Sequence, residues 1–136
     1  MILAAKGHMG QVDKGGHPYI LHPTRVMLSC KTVEEKTVAM MHDLLEDTAY
    51  TEDDLREEGF PEKIIEAVVC LTKTEGEEYA DYVERICQNK LAARVKLADL
   101  KDNMDLNRLP GLTPKDFQRL EKYLRTKIRI EQALEE

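Results

Sequence analysis

Helix-start signals recur along this chain, and no segment of strand length alternates apolar with polar residues. Thr32 with Glu35 and Thr51 with Asp54 have capping-box spacing. Thr113-Pro114-Lys115-Asp116 adds a proline at the first helical position to the same spacing. Between these starts, apolar residues fall three and four apart. Ile64, Ile65, Val68 and Leu71 form one stripe, and Tyr79, Tyr82, Val83 and Ile86 form the next. Leu91, Val95 and Ala98 make a third stripe, within a helix expected over residues 91–106. Phe117, Leu120, Leu124 and Ile128 are the predicted core face of the last helix. The fold class that follows is all-α: a compact bundle of seven to eight helices, one domain over residues 1–136.

The core of such a bundle must come from Leu, Ile, Val, Ala and Met, because Trp is absent and there are only 2 Phe. A net charge of −6 argues against a nucleic-acid polymer or an anionic membrane as partner. It leaves room for a small anionic ligand in a local basic pocket. Cys30, Cys70 and Cys87 are odd in number, lack CxxC spacing and fall in helical patterns, so reduced thiols and a cytoplasmic location are expected. No apolar run has membrane-spanning length, and the first residues lack a signal-peptide core.

The densest chemistry lies in His42-Asp43-Leu44-Leu45-Glu46-Asp47-Thr48, at the end of a helix whose inner face carries Val38, Met41 and Leu45. Helical spacing sets His42 near Glu46, and Asp43 near Glu46 and Asp47. Carboxylates held this close repel unless a cation or a shared proton offsets them. The bland reading is a polar helix end with one satisfied histidine. Against it stand His22, in the turn before the second helix, and Asp99, a carboxylate inside an apolar stripe. Two imidazoles and two carboxylates suit a first-row divalent ion such as Mn, Fe, Co or Zn. An ion of that kind makes hydroxide available near neutral pH. Glu46 and Asp47 are placed to orient water and move protons.

His42-Asp43 with a distant Asp99 resembles the HD superfamily of metal-dependent phosphohydrolases. The likeness narrows along the chain: residues 5–11 (Ala-Lys-Gly-His-Met-Gly-Gln), Lys14, residues 18–23 (Pro-Tyr-Ile-Leu-His-Pro), residues 42–48, and residues 95–99 with Asn103. In that order they resemble the motifs of RelA/SpoT-type alarmone hydrolases, over about residues 4–106. The resemblance implies one Mn²⁺ held by His22, His42, Asp43 and Asp99, with Glu46 and Asp47 as catalytic carboxylates. Lys14 and Asn103 would line the substrate site. The implied reaction removes the 3′-pyrophosphate of a guanosine alarmone, in a stand-alone small hydrolase. A homodimer is left open.

Two positions depart from the family pattern, which has Arg-Lys-Ser where this chain has Asp13-Lys14-Gly15. Asp in place of Arg removes the flat cation that stacks on a purine. An HD phosphohydrolase acting on another nucleotide or phosphoester is therefore the second reading. A metal-binding regulatory module without turnover is the third. His8 is read as structural and His17 as exposed; Lys96 and Asn103 each fit either packing or substrate contact.

Overall fold

In a computed structural model the chain is described over residues 1–136, with Arg108 described by its backbone alone. The elements are α1 (Ile2–Gly7), α2 (Leu21–Leu28), α3 (Val33–Met41), α4 (Leu44–Asp47) and α5 (Glu52–Glu57), followed by α6 (Glu62–Cys70), α7 (Tyr79–Cys87), α8 (Lys90–Asn103), a 3₁₀ turn (Leu106–Arg108) and α9 (Pro114–Glu135). No strand occurs among the described residues. A single antiparallel bridge, Val12 to Pro18, closes the loop before α2. The fold is all-α, as expected.

All three Thr-led starts form complete capping boxes: Thr32–Glu35, Thr51–Asp54 and Thr113–Asp116. In each, the threonine oxygen takes one orphan amide and the carboxylate takes another. The stripes of α6 and α7 are buried as read, through Ile64, Ile65, Val68, Tyr82, Val83 and Ile86. The central element is α8, which packs on α2, α3, α6, α7 and α9. Ala92 and Ala93 are fully buried there, and their small side chains let neighbouring backbones approach closely. Leu100, Ile65 and Ile86 are equally buried, and truncating any of them to Ala should cost about 2–5 kcal/mol.

Three details differ from the periodicity. The helix expected to run through His42 to Thr48 stops at Met41 and restarts at Leu44. The Ala39 carbonyl, which would accept from the Asp43 amide in a continuous helix, accepts from His42 Nδ1 at 2.6 Å. Counted as one interrupted helix, α3 and α4 leave the eight-helix reading intact. Next, α8 ends at Asn103, short of Leu106. Finally, α9 buries a different face. Phe117, Leu124 and Ile128 stay 59%, 50% and 50% exposed, while Thr126 and Ile130 are buried and Tyr123 and Leu134 pack on the core. Polar anchors to α7 select that face. Thr126 Oγ1 bonds the Tyr79 hydroxyl at 3.2 Å, and Arg129 pairs with Glu84 at 2.7 and 2.8 Å.

The short helix α1 packs against α3 and α4 through Gly7 and its neighbours. A Cβ added at Gly7 would lie 2.8 Å from Leu44 Cδ2 and 3.0 Å from Thr48 Cγ2. Only glycine lets α1 sit this close to α4.

Candidate metal centre and cavity

His22 rises from the first turn of α2, His42 and Asp43 occupy the α3–α4 break, and Asp99 lies on α8. These elements pack on one another, so three distant stretches of sequence meet at one point. His22 Nε2 lies 2.9 Å from Asp99 Oδ1, and His42 Nε2 lies 3.2 Å from the same oxygen. Asp43 Oδ2 is 3.1 Å from His42 Nε2 and 3.8 Å from His22 Nε2. His22, His42 and Asp43 each offer one ligand atom within 4.8 Å of the others. Both imidazoles turn Nδ1 outward, His42 to the Ala39 carbonyl and His22 to Asp102 Oδ2 at 2.6 Å. A carbonyl or carboxylate oxygen accepts there, so the Nδ1–H tautomer is assigned and Nε2 is left for the centre. Inward Nε2 atoms beside two carboxylates are the donor set a divalent first-row ion takes.

The electrostatics show a centre that attracts positive charge, and without an ion the two rings hold it as protons. Burial alone would lower the His42 pKa, yet Asp43 and Asp99 outweigh it and hold it well above the usual value. Burial likewise works against a charged His22, but its bonds to Asp102 and Asp99 raise it. Burial would raise Asp99, and Lys96 with the two histidines holds it well below the carboxylate range. Lys96 Nζ donates to Asp99 Oδ2 at 2.9 Å, and Asn103 Nδ2 donates to Asp99 Oδ1 at 3.1 Å. So many donors around one buried carboxylate stabilise its charge.

The cluster opens into a cavity of about 630 Å³ lined by His22, Asp43, Asp99, Glu46, Asp47, Lys14 and Asn103 among others. His42 stands behind it, fully enclosed. Glu46 and Asp47 stand at the rim, where partial enclosure and then the neighbouring Asp43 raise both carboxyls above their ordinary pKa. Glu46 also accepts from the Lys73 amide. The loop over residues 12–18 brings Lys14 to the mouth. Asp13 Oδ1 accepts from the Gly15 and His17 amides, both at 2.9 Å, so its carboxylate organises the loop. Lys96 is half-buried at the junction of cluster and cavity.

Sequence reading missed several residues. The Tyr19 hydroxyl donates to Asp43 Oδ2, and its alternation with His22 on a short turn was the signal available. Asp102 and Arg25, which back His22, repeat the three-residue spacing from Asp99 and His22. Lys73, Arg119 and Lys122 line the cavity, whereas the basic residues of α9 read as a solvated face. His8 is buried; its Nδ1 meets Gln11 at 2.8 Å, and Gln11 Nε2 donates to the Asp47 carbonyl.

No protein-family model matches the chain. It is 30% identical over 135 residues to a guanosine-3′,5′-bis(diphosphate) 3′-pyrophosphohydrolase of Haemophilus influenzae, covering 89% of this chain and 20% of that protein. A protein of the same name from Aquifex aeolicus is 32% identical over 111 residues, covering 75% of this chain and 16% of that protein. A GTP pyrophosphokinase of Myxococcus xanthus is 30% identical over 120 residues, covering 76% of this chain and 16% of that protein. The chain thus spans about a fifth or less of the length of these curated relatives. A solved structure described as a metazoan ortholog of SpoT that hydrolyzes ppGpp superposes with a TM-score of 0.76 at 21% identity. The match covers 93% of this chain and 80% of that one, and it shows the shared helical fold. No helix is long and apolar enough to cross a membrane among the described residues. Over most of its length this chain is a sequence relative of the guanosine-3′,5′-bis(diphosphate) 3′-pyrophosphohydrolases, and it has the helical fold of the SpoT ortholog.

Proposed function

We propose that this chain is a metal-dependent pyrophosphohydrolase that removes the 3′-pyrophosphate from a guanosine alarmone, with Mn²⁺ as the working ion. The observation that carries the reading is the convergence of His22 Nε2, His42 Nε2, Asp43 and Asp99 at the floor of a cavity rimmed by Glu46 and Asp47. The relatives' names supply the substrate class.

His22, His42, Asp43 and Asp99 would hold the ion, which would lower the pKa of water and offset phosphate charge there. Tyr19 fixes one oxygen of Asp43, and Asn103 and Lys96 fix Asp99, so both carboxylates are pre-positioned. Glu46 or Asp47 would accept the proton of the attacking water. Their raised pKa makes them stronger bases than ordinary carboxylates. Water oxygen joins phosphorus, the bond to the 3′ oxygen breaks, and that oxygen leaves with the proton that the carboxylate took from the water. The products are GDP or GTP and pyrophosphate. Lys14 and Asn103, both in the cavity lining, would contact the substrate.

A second reading keeps the reaction and widens the substrate to another nucleotide. It is favoured by Asp13, whose carboxylate is committed to the loop where the family pattern has a base-stacking arginine. Pyrophosphate and phosphate release, measured over guanosine and adenosine nucleotides with and without Mn²⁺, tests both. Release from guanosine tetraphosphate alone supports the first reading, and release from several nucleotides supports the second. No Mn²⁺-dependent release from any of them would overturn both.

A further inference from the structure

Two facing helices carry matched spacings. His22 and Arg25 stand three apart on α2, and Asp99 and Asp102 stand three apart on α8, which packs against it. His22 meets Asp99 through Nε2 at 2.9 Å and Asp102 through Nδ1 at 2.6 Å. Beyond Asp102, Arg25 donates Nε to Oδ1 at 2.7 Å and Nη2 to Oδ2 at 3.2 Å. The Asp102 side chain is only 9% exposed and does not line the cavity. It therefore acts through His22 rather than from the cavity wall.

We infer that Asp102, clamped by Arg25, is a positioning residue that fixes the ring orientation and tautomer of His22. The inference rests on reading His22 as a metal ligand. A neutral imidazole has one N–H and one lone pair, and the partner of one nitrogen decides which nitrogen carries which. Both nitrogens face a carboxylate, Asp102 at 2.6 Å from Nδ1 and Asp99 at 2.9 Å from Nε2. The closer, Arg25-clamped Asp102 draws the proton of the neutral ring to Nδ1, leaving the Nε2 lone pair for an ion beside Asp43 and Asp99. His42 gets the same service from a peptide carbonyl, which is neutral and part of its own helix. The corresponding carbonyl for His22, that of Tyr19, accepts from the His22 amide at 2.9 Å, and the ring takes its acceptor from α8 instead. A carboxylate is a stronger acceptor than a carbonyl and makes the ring a better ligand. Arg25 cancels the added charge, so the centre gains an anchor without a further net negative charge.

The test uses the full chain and two readouts. Mn²⁺ affinity is measured by calorimetry for the parent, Asp99→Ala, Asp102→Asn and Asp102→Ala. Imidazole ¹⁵N shifts of the metal-free proteins are recorded at alkaline pH, where the rings are neutral. Asp102→Ala should bind Mn²⁺ about 10–100-fold more weakly, and His22 should move from the Nδ1–H form toward the Nε2–H form, whose proton Asp99 accepts. Asp102→Asn keeps an acceptor oxygen and should lie between. Unchanged affinity together with unchanged His22 shifts in Asp102→Ala overturns the inference. If Asp102→Ala does not fold, the Asn variant decides by the same criteria. A parent protein that binds no Mn²⁺ would remove the ligand reading instead, and the ¹⁵N shifts would still judge the tautomer.

Discussion

The two walls of the cavity are opposite in charge and are held in different ways. One wall is acidic, with Asp43, Glu46, Asp47 and Asp99 coming from the α3–α4 break and from α8. Its inner members are short side chains pinned by buried partners, such as Tyr19 on Asp43 and the histidines, Lys96 and Asn103 on Asp99. The other wall gathers Lys73, Arg119 and Lys122 from the α6–α7 loop and α9, with Lys96 between the two. Two cations rest on aromatic faces, Lys122 at 4.5 Å from the Tyr79 ring centre and Lys96 at 5.5 Å from that of Tyr82, while Arg119 donates to Asp116. Desolvation, then Lys96, Arg119 and Lys73, lower the pKa of Lys122. Like charges on long stems can shift or be screened by water, whereas a buried carboxylate cannot. The acidic wall should thus fail abruptly on mutation and the basic wall by degrees.

Asp99→Ala should break the acidic wall most completely. It removes the shared acceptor of His22, His42, Lys96 and Asn103, so bound metal and turnover should vanish together while circular dichroism stays helical. Full metal occupancy in this variant would end its assignment as a ligand. Glu46→Gln stands on the same wall but outside the cluster. Metal content should be kept and turnover should fall about 10²–10⁴-fold, the range for a removed general acid or base. An unchanged rate would take Glu46 out of the chemistry. Lys122→Ala samples the basic wall and should raise KM about fivefold, the effect of one partly screened charge of ~1 kcal/mol. The same variant should leave kcat within about twofold and flatten the salt dependence of KM. A collapse of kcat would show that the walls are not separate in function.

The smallest effect is expected at the mouth. Asp13→Arg adds a guanidinium that could stack on a purine, a gain of about 0.5–2 kcal/mol. It also removes the acceptor of the Gly15 and His17 amides, a loss of similar size. KM for guanosine tetraphosphate should therefore move by less than about threefold. Kinetics on guanosine and adenosine substrates would show a larger drop if the loop tolerates losing its turn.

Much of the architecture was legible because it is local. Capping boxes at Thr32, Thr51 and Thr113 form within four residues, and the stripes of α6 and α7 need only a 3.6-residue period and a core to face. His22, His42, Asp43 and Asp99 stood out for a related reason: polar groups on otherwise apolar helical faces have to meet one another. What the chain alone left open depends on which surfaces meet. On α9, one arc ran through Phe117, Leu124 and Ile128 and another through Tyr123, Thr126 and Ile130; Tyr79 and Glu84 on α7 chose the second. The break at His42 depends on a ring nitrogen outcompeting a peptide amide for the Ala39 carbonyl, which helical periodicity does not register. Asp102 and Arg25 gained their place only once α2 lay against α8. Sequence alone determined the helices and the residues that cannot be left unpaired. Tertiary structure decided the partners, because hydrogen bonds between helices depend on docking geometry that no local spacing encodes.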